Sequence, residues 1–179
     1  SFRPLPEEAA REGAAQYDLQ PGYLLFVGTL EPRKNVPGLL QAYRQLRDEG
    51  VTDEPLVLVG GKGWLYEEVF ERTEALGLRE HVRFLHQVPN ADLPALYAAA
   101  SVLAMPSFYE GFGLPALEAM SCGTPVVVAD RSSLPEVVGE AGRLVDPDDP
   151  GAIAAALADV LNDEQEQERL RKAGLERAG

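Results

Sequence analysis

Cysteine is all but missing from this chain of 179 residues. Cys122 stands alone, so no internal disulfide can form, nothing points to an oxidising compartment, and a small buried side chain is its expected role. Positive charge is scarce as well. The 16 Lys and Arg face 29 Asp and Glu, a net charge of −13, which leaves no broad basic face for a nucleic-acid groove and disfavours adsorption to anionic lipid. No apolar run approaches the ~20 residues that a membrane-spanning helix needs, and the amino-terminal residues show neither a charged n-region nor an h-region with a cleavage site. The chain is therefore expected to be soluble and cytoplasmic. His81 and His86 lack ligand-spaced partners, so no metal site is expected. There is no G-x-x-x-x-G-K-[ST] loop and no Ser-His-Asp arrangement. Gly60-Gly61-Lys62-Gly63 falls short of a dinucleotide fingerprint, because Tyr66 stands where the third glycine belongs and no ribose-binding acid is clearly placed about twenty residues later. No repeat or low-complexity tract is evident.

What is present is enough apolar residue, 45% of the chain, for one sizeable core. Apolar runs without alternation recur at Leu24–Val27, Leu56–Val59, Val82–Leu85, Val102–Met105, Val126–Ala129 and Leu144–Val145. Strands buried on both faces read this way. Between them lie helical spacings: Val36, Leu39, Leu40, Tyr43 and Leu46; Val69, Phe70, Thr73 and Leu76; Leu93, Leu96 and Tyr97. Ile153, Leu157, Val160 and Leu161 add another helix, with Asp149-Pro150 as its start. Strand and helix alternate, which predicts an α/β fold, a Rossmann-like doubly wound parallel sheet with right-handed crossovers. Ligands of such sheets bind beyond the carboxyl ends of the strands, near the point where strand order reverses. The chemically interesting loops, Gly28–Asn35, Gly60–Gly63, Gln87–Asn90 and Ser107–Gly113, all follow strands.

The most informative loop runs from Ser107 to Glu118. Gly111 and Gly113 leave the backbone uncovered, so amides at the start of the following helix can approach an anion, and Pro115 suits the first helical turn. Glu110 and Glu118 flank that turn and can face one ligand from different sides, holding hydroxyls while the amides hold phosphate. The plain alternative makes both carboxylates exposed acids of a turn, with Glu118 complementing the helix dipole. Arg33 and Lys34, in the loop after the first strand, offer fork-like and point-like donors to a diphosphate. Their plain alternative is a solvated turn carrying two charges.

These motifs resemble the retaining GT-B glycosyltransferases of family 4 (group 1), whose signature is two glutamates with seven residues between them, as Glu110 and Glu118 have here. Gly28-Thr29-Leu30-Glu31-Pro32-Arg33-Lys34-Asn35 looks like the family's basic diphosphate loop, and Pro55–Gly61 and Ser133–Gly139 match in kind and order. The resemblance covers nearly the whole chain, but only the carboxyl-terminal, donor-binding half of a two-domain enzyme. It implies catalytic roles for Glu110, Lys34 and Arg33. It implies donor contacts from Gly28, Thr29, Arg33, Lys34, Gly61, Lys62, Val88, Glu110, Gly111, Phe112, Gly113, Leu114 and Glu118, with Glu118 at the ribose and Glu110 at the transferred sugar. Thr29 stands where many members carry an arginine, so Arg33 is expected to supply the second positive charge from a shifted position.

By the same resemblance the reaction is sugar transfer, with retention, from a nucleoside diphosphate sugar to an acceptor hydroxyl, with no further cofactor. Lys34, Arg33 and helix-start amides would stabilise the departing diphosphate, reducing the need for a divalent metal. The Glu31-Pro32-Arg33-Lys34-Asn35 form of the loop looks like that of bacterial mannosyltransferases, so GDP-mannose is the first expected donor and a UDP-glucose type the second. A catalytically silent nucleotide-sugar binding module and a sugar-nucleotide epimerase of related fold are the alternatives. Residues 1–22 are expected to be a hinge remnant and partial helix, 23–162 the donor-binding domain and 163–179 a truncated terminal helix. The acceptor-binding domain would be the missing partner, bringing any contact with the inner face of a membrane.

Overall fold

A computed structural model of the chain describes residues 1–63 and 66–179. Six parallel strands form one sheet: β1 (Leu24–Val27), β2 (Leu56–Val59), β3 (Val82–Leu85), β4 (Val102–Met105), β5 (Val126–Ala129) and β6 (Arg143–Val145). Their spatial order is β3-β2-β1-β4-β5-β6. The chain winds outward in one direction through β3, returns beside β1 as β4, and winds outward the other way. Helices α1 (Glu7–Ala15), α2 (Val36–Asp48), α3 (Tyr66–Ala75), α4 (Leu93–Ala99), α5 (Leu114–Ser121), α6 (Leu134–Val138), α7 (Pro150–Leu161) and α8 (Glu164–Ala178) cover the sheet.

The pleat of the strands divides the core in two. Leu25, Val57, Leu103, Val126 and Val128 point to one face and meet α1, α4, α5 and α6. Leu24, Phe26, Leu56, Leu58, Val102, Ala104 and Val127 point to the other and meet α2, α3 and α7. Successive strand residues thus bury on opposite faces, which is why the strands read as unbroken apolar runs. Each fully buried Leu, Val or Phe contributes about 1.5–3 kcal/mol relative to exposure. Helix α8 closes the end of both layers, placing Leu170 with the second core and Ala173 and Ala178 against the first.

The expected doubly wound parallel sheet is the observed one, and the helical spacings correspond to α2, α3, α4 and α7. Asp149 caps α7 by accepting from the Ala152 amide at 3.1 Å, ahead of Pro150 in the first turn. Burial on both faces holds for the inner strands and fails at the edges. β3 is largely half-buried, and Leu144 of β6 is 41% exposed, because an edge strand has a neighbour on one side and a shorter helical cover. β6 also begins one residue earlier than its apolar run, at Arg143, whose guanidinium reaches Asp159 and Glu166 at the surface.

Candidate functional site

The direction of winding reverses between β1 and β4, so the helices that follow these two strands, α2 and α5, pack on opposite faces of the sheet, and ligands of such sheets bind beyond the strand ends at this point. After β1 the chain makes a short 3₁₀ turn at Pro32–Lys34 and enters α2 through Asn35, held in the left-handed region at φ 60°. Asparagine tolerates that conformation better than most residues. The buried Asn35 amide donates to the Pro106 carbonyl at 2.9 Å and the Pro147 carbonyl at 2.8 Å, tying together the loops after β1, β4 and β6. The Phe108 amide donates to the Arg33 carbonyl at 2.8 Å and adds a second tie.

These ties bring Lys34 and Glu110, 76 residues apart, into a buried ion pair with Nζ 2.7 Å from Oε2. The Ser107 hydroxyl donates to the same oxygen at 2.8 Å. The Glu110 peptide is held as firmly: its amide donates to Ser132 Oγ at 2.9 Å and its carbonyl accepts from Ser133 Oγ at 3.1 Å. Glu110 is 5% exposed, while Tyr109 and Phe112 on either side are 58% and 60% exposed, so the loop turns its carboxylate in and its rings out.

Gly113 caps α5 at φ +78°, where an added Cβ would come within 2.8 Å of Leu134. Glycine is needed here on both counts. Within the described residues the amides of Phe112, Gly113 and Leu114 make no hydrogen bond, as is usual for the free donors at a helix start, which suit an anion. Further along α5, Glu118 Oε1 accepts from the Tyr97 hydroxyl at 2.8 Å. Partial burial pushes the Glu118 carboxyl above the usual carboxylate range, and the Tyr97 bond opposes that shift. Burial also drives the Tyr97 phenol well above its ordinary value, with the Glu118 charge adding to it.

Beside the pair, a cleft of about 600 Å³ opens over the carboxyl ends of β1, β2 and β3. Gly28, Thr29, Gly60, Gly61, Val88 and Leu93 line it together with His86. The β1 and β2 loops meet backbone to backbone at its floor, since a Cβ on Gly60, at φ +151°, would lie 2.0 Å from the Gly28 carbonyl oxygen. Gly28 joins the cleft to the ion pair: a Cβ there would touch Lys34 Cε at 3.4 Å. His86 stacks near Phe84 and meets the Tyr66 ring edge-on at 4.8 Å. Burial and the Lys62 charge lower its pKa, against a bond with the Gly60 backbone, so the cleft wall is held toward the neutral imidazole.

The expected site residues therefore fall into groups. Gly28, Thr29, Gly61 and Val88 share the cleft, while Lys34 and Glu110 form the pair beside it. Gly111 to Leu114 make the helix entrance, and Glu118 lies one turn into α5 with its own partner. Arg33 is exposed and its Nε binds Glu31 at 3.0 Å within the same turn. Lys62 does not line the cleft; its ammonium sits 5.0 Å from the Tyr66 ring centre. The sequence reading assigned no role to Ser107, Ser132, Asn35, Tyr97 or His86 individually. A polar residue at the end of each strand was the available signal for His86 and Ser107. Nothing local marks Tyr97.

The family profile of the glycosyl transferases group 1 matches residues 11–177, and the chain belongs to that family. It is 51% identical over 158 residues to the O-antigen chain mannosyltransferase B of Escherichia coli, covering 88% of this chain and 41% of that protein. Sucrose-phosphate synthase from Thermosynechococcus elongatus superposes with a TM-score of 0.86 at 33% identity, covering 99% of this chain and 44% of that one. HepE from Anabaena, solved with UDP and glucose, superposes with a TM-score of 0.88 at 24% identity over 99% of this chain and 49% of that one. The chain thus spans less than half the length of these proteins, and its fold is the Rossmann-like, carboxyl-terminal half of a GT-B glycosyltransferase.

Proposed function

We propose that this chain is the donor-binding half of a retaining glycosyltransferase that moves a sugar, mannose as the first choice, from a nucleoside diphosphate sugar to an acceptor hydroxyl. The observation that carries the reading is the buried Lys34–Glu110 pair, seated beyond the carboxyl ends of the neighbouring strands β1 and β4 and joined through Gly28 to the cleft. In this reading the base and ribose enter the cleft past Gly61 and Val88, with Glu118 at the ribose hydroxyls. The diphosphate meets the amides of Phe112 to Leu114, the Lys34 ammonium and, from the rim, the Arg33 guanidinium. Glu110 faces the sugar. The mannosyltransferase relative supports mannose, and HepE, solved with UDP and glucose, supports a nucleoside diphosphate sugar as the donor class.

During transfer the anomeric carbon–oxygen bond to the diphosphate breaks, and a bond to the acceptor oxygen forms on the same face. The acceptor proton passes to a phosphate oxygen of the leaving group. Lys34 and the helix amides are fixed before the reaction, so they stabilise the growing negative charge with little reorganisation. The Glu110 carboxylate, held by Lys34 and Ser107, favours positive character at the anomeric carbon. The acceptor-binding half lies in the rest of the protein, so the chain alone binds donor and transfers negligibly.

Calorimetric titration of the chain with GDP, UDP and ADP tests this reading, read out together with amide shifts. GDP binding that perturbs the Gly28–Lys34 and Glu110–Glu118 loops is the expected result. Perturbation confined to α8, or no binding of any diphosphate, would overturn it. The anomeric configuration of the product made by the full-length protein checks retention separately.

A further inference from the structure

The Glu118 carboxylate receives one hydrogen bond within the described residues, and it comes from a residue 21 positions earlier on another helix. Tyr97 is fully buried, and its ring meets Phe2 edge-on at 5.8 Å and 74°. Its carbonyl accepts from the buried Thr124 hydroxyl just past the end of α5. Tyr97 therefore holds both α5 and the segment that follows it: its phenol holds Glu118 on the helix and its main chain holds Thr124 beyond the helix end. One turn earlier on the same helix, Leu93 lines the cleft, so one short element forms part of the cleft wall and anchors the carboxylate.

We propose that Tyr97 is a positioning residue for nucleotide recognition, its hydroxyl fixing Glu118 in the orientation that reads the vicinal diol of ribose. This rests on the assignment of Glu118 to the ribose made above. A carboxylate has about four lone-pair positions. Tyr97 occupies one on Oε1, leaving Oε2 and a second site on Oε1 for two neighbouring hydroxyls. The terminal torsion of glutamate is broad and roughly twofold, so an unheld carboxylate must be ordered by the ligand itself. A lysine or arginine would fix it too, but would neutralise the charge that strengthens bonds from ribose hydroxyls. A phenol orients the acid and leaves its charge in place.

The test compares the affinities of GDP and 2′-deoxy-GDP for the chain and for Tyr97→Phe and Glu118→Gln. Wild type is expected to prefer GDP by about tenfold, the size of one lost charge-assisted bond. Tyr97→Phe keeps the ring and its packing yet should bring the two affinities within about threefold of one another, and Glu118→Gln should do the same. The double variant should lose no more than either alone. 3-Fluorotyrosine at position 97, which keeps the shape and the donor, should restore the preference. A purely structural tyrosine would lower the melting temperature and leave the ratio of affinities alone.

Retention of the wild-type ratio in Tyr97→Phe, with its loss in Glu118→Gln, would overturn the inference and leave Glu118 at the ribose. Retention in Glu118→Gln, or no preference in wild type, would overturn the ribose assignment and the inference with it. If Tyr97→Phe does not fold, the fluorotyrosine protein and Glu118→Gln still decide: loss of the preference in the fluorotyrosine protein, whose donor is intact, overturns the proposal.

Discussion

Glu110 and Glu118 stand eight residues apart on one loop and helix, yet the fold treats them in opposite ways. Glu110 is buried against a cation, and a serine hydroxyl shares the same carboxylate oxygen. Glu118 is part-buried, has a neutral phenol as its partner, and is pushed above the ordinary carboxylate range by the burial. The first arrangement fixes a charge with its counterion already in place. The second keeps a charge short of partners, which suits the proposed place of Glu118 at the ribose hydroxyls. The lesson is that a signature spacing identifies two acids, and their surroundings divide the work between them.

The comparison is broken most severely at Lys34. Lys34→Ala leaves the Glu110 carboxylate buried without its cation, a change that costs about 3–5 kcal/mol. Urea unfolding should show that loss, and GDP binding should fall below detection while the sheet remains folded. Replacing both partners, as Lys34→Met with Glu110→Leu, should recover most of the stability and none of the binding. If Lys34→Ala unfolds like wild type, the pair is not the buried counterion device described here.

Ser107→Ala comes next. It removes one of two donors to Glu110 Oε2 and keeps the cation, so a loss of about 1–3 kcal/mol is expected. If Glu110 acts at the sugar as proposed, kcat of the full-length protein should drop more than KM changes, because the serine holds that carboxylate. An unchanged kcat would confine Ser107 to folding.

Glu118→Gln sharpens the contrast, since its effect on stability has the opposite sign. A carboxyl whose folded pKa lies above its unfolded value makes folding most favourable below the ordinary carboxylate range. That contribution is lost as pH rises from the unfolded pKa through the folded one. Urea unfolding of wild type and variant from pH 4 to 7.5 should therefore show the variant gaining relative stability toward neutral pH, by at most about 1 kcal/mol given the solvent access of the site. A variant that loses relative stability as pH rises would refute this sign.

Arg33→Ala should have the smallest effect on the fold. Its partner Glu31 lies in the same exposed turn, and such pairs contribute about 0–1 kcal/mol. A melting curve within error of wild type is expected, alongside a modest loss of GDP affinity at low salt that shrinks as salt is added. An affinity loss equal to that of Lys34→Ala would place Arg33 level with the buried lysine.

Much of the molecule could be read locally. The strands showed as unbroken apolar runs because the sheet is covered on both faces, and α2 and α7 showed through their 3.6-residue spacing. The reading slipped at β3 and β6, where edge strands keep an apolar pattern without full burial. Within the site, the glycines of the Ser107–Glu118 loop and the Arg33–Lys34 turn were visible as types of chemistry. The partners were not. Asn35 ties loops 71 and 112 residues away, and its value lies in two carbonyls that no local pattern names. Tyr97 reads as one more apolar position on α4.

The sequence by itself determined the alternation of strand and helix, the acid spacing, and the loops at which an anion could meet bare backbone. Periodicity, turn chemistry and helix entry act over a few residues, so they are written where they operate. Only the tertiary structure decided that Lys34 would meet Glu110, that Tyr97 would hold Glu118, and that His86 would face the cleft. These are distances through space, set by the strand order that places β4 beside β1. Residues far apart along the chain meet there because burial of the two sheet faces admits that order, and no segment carries that information alone.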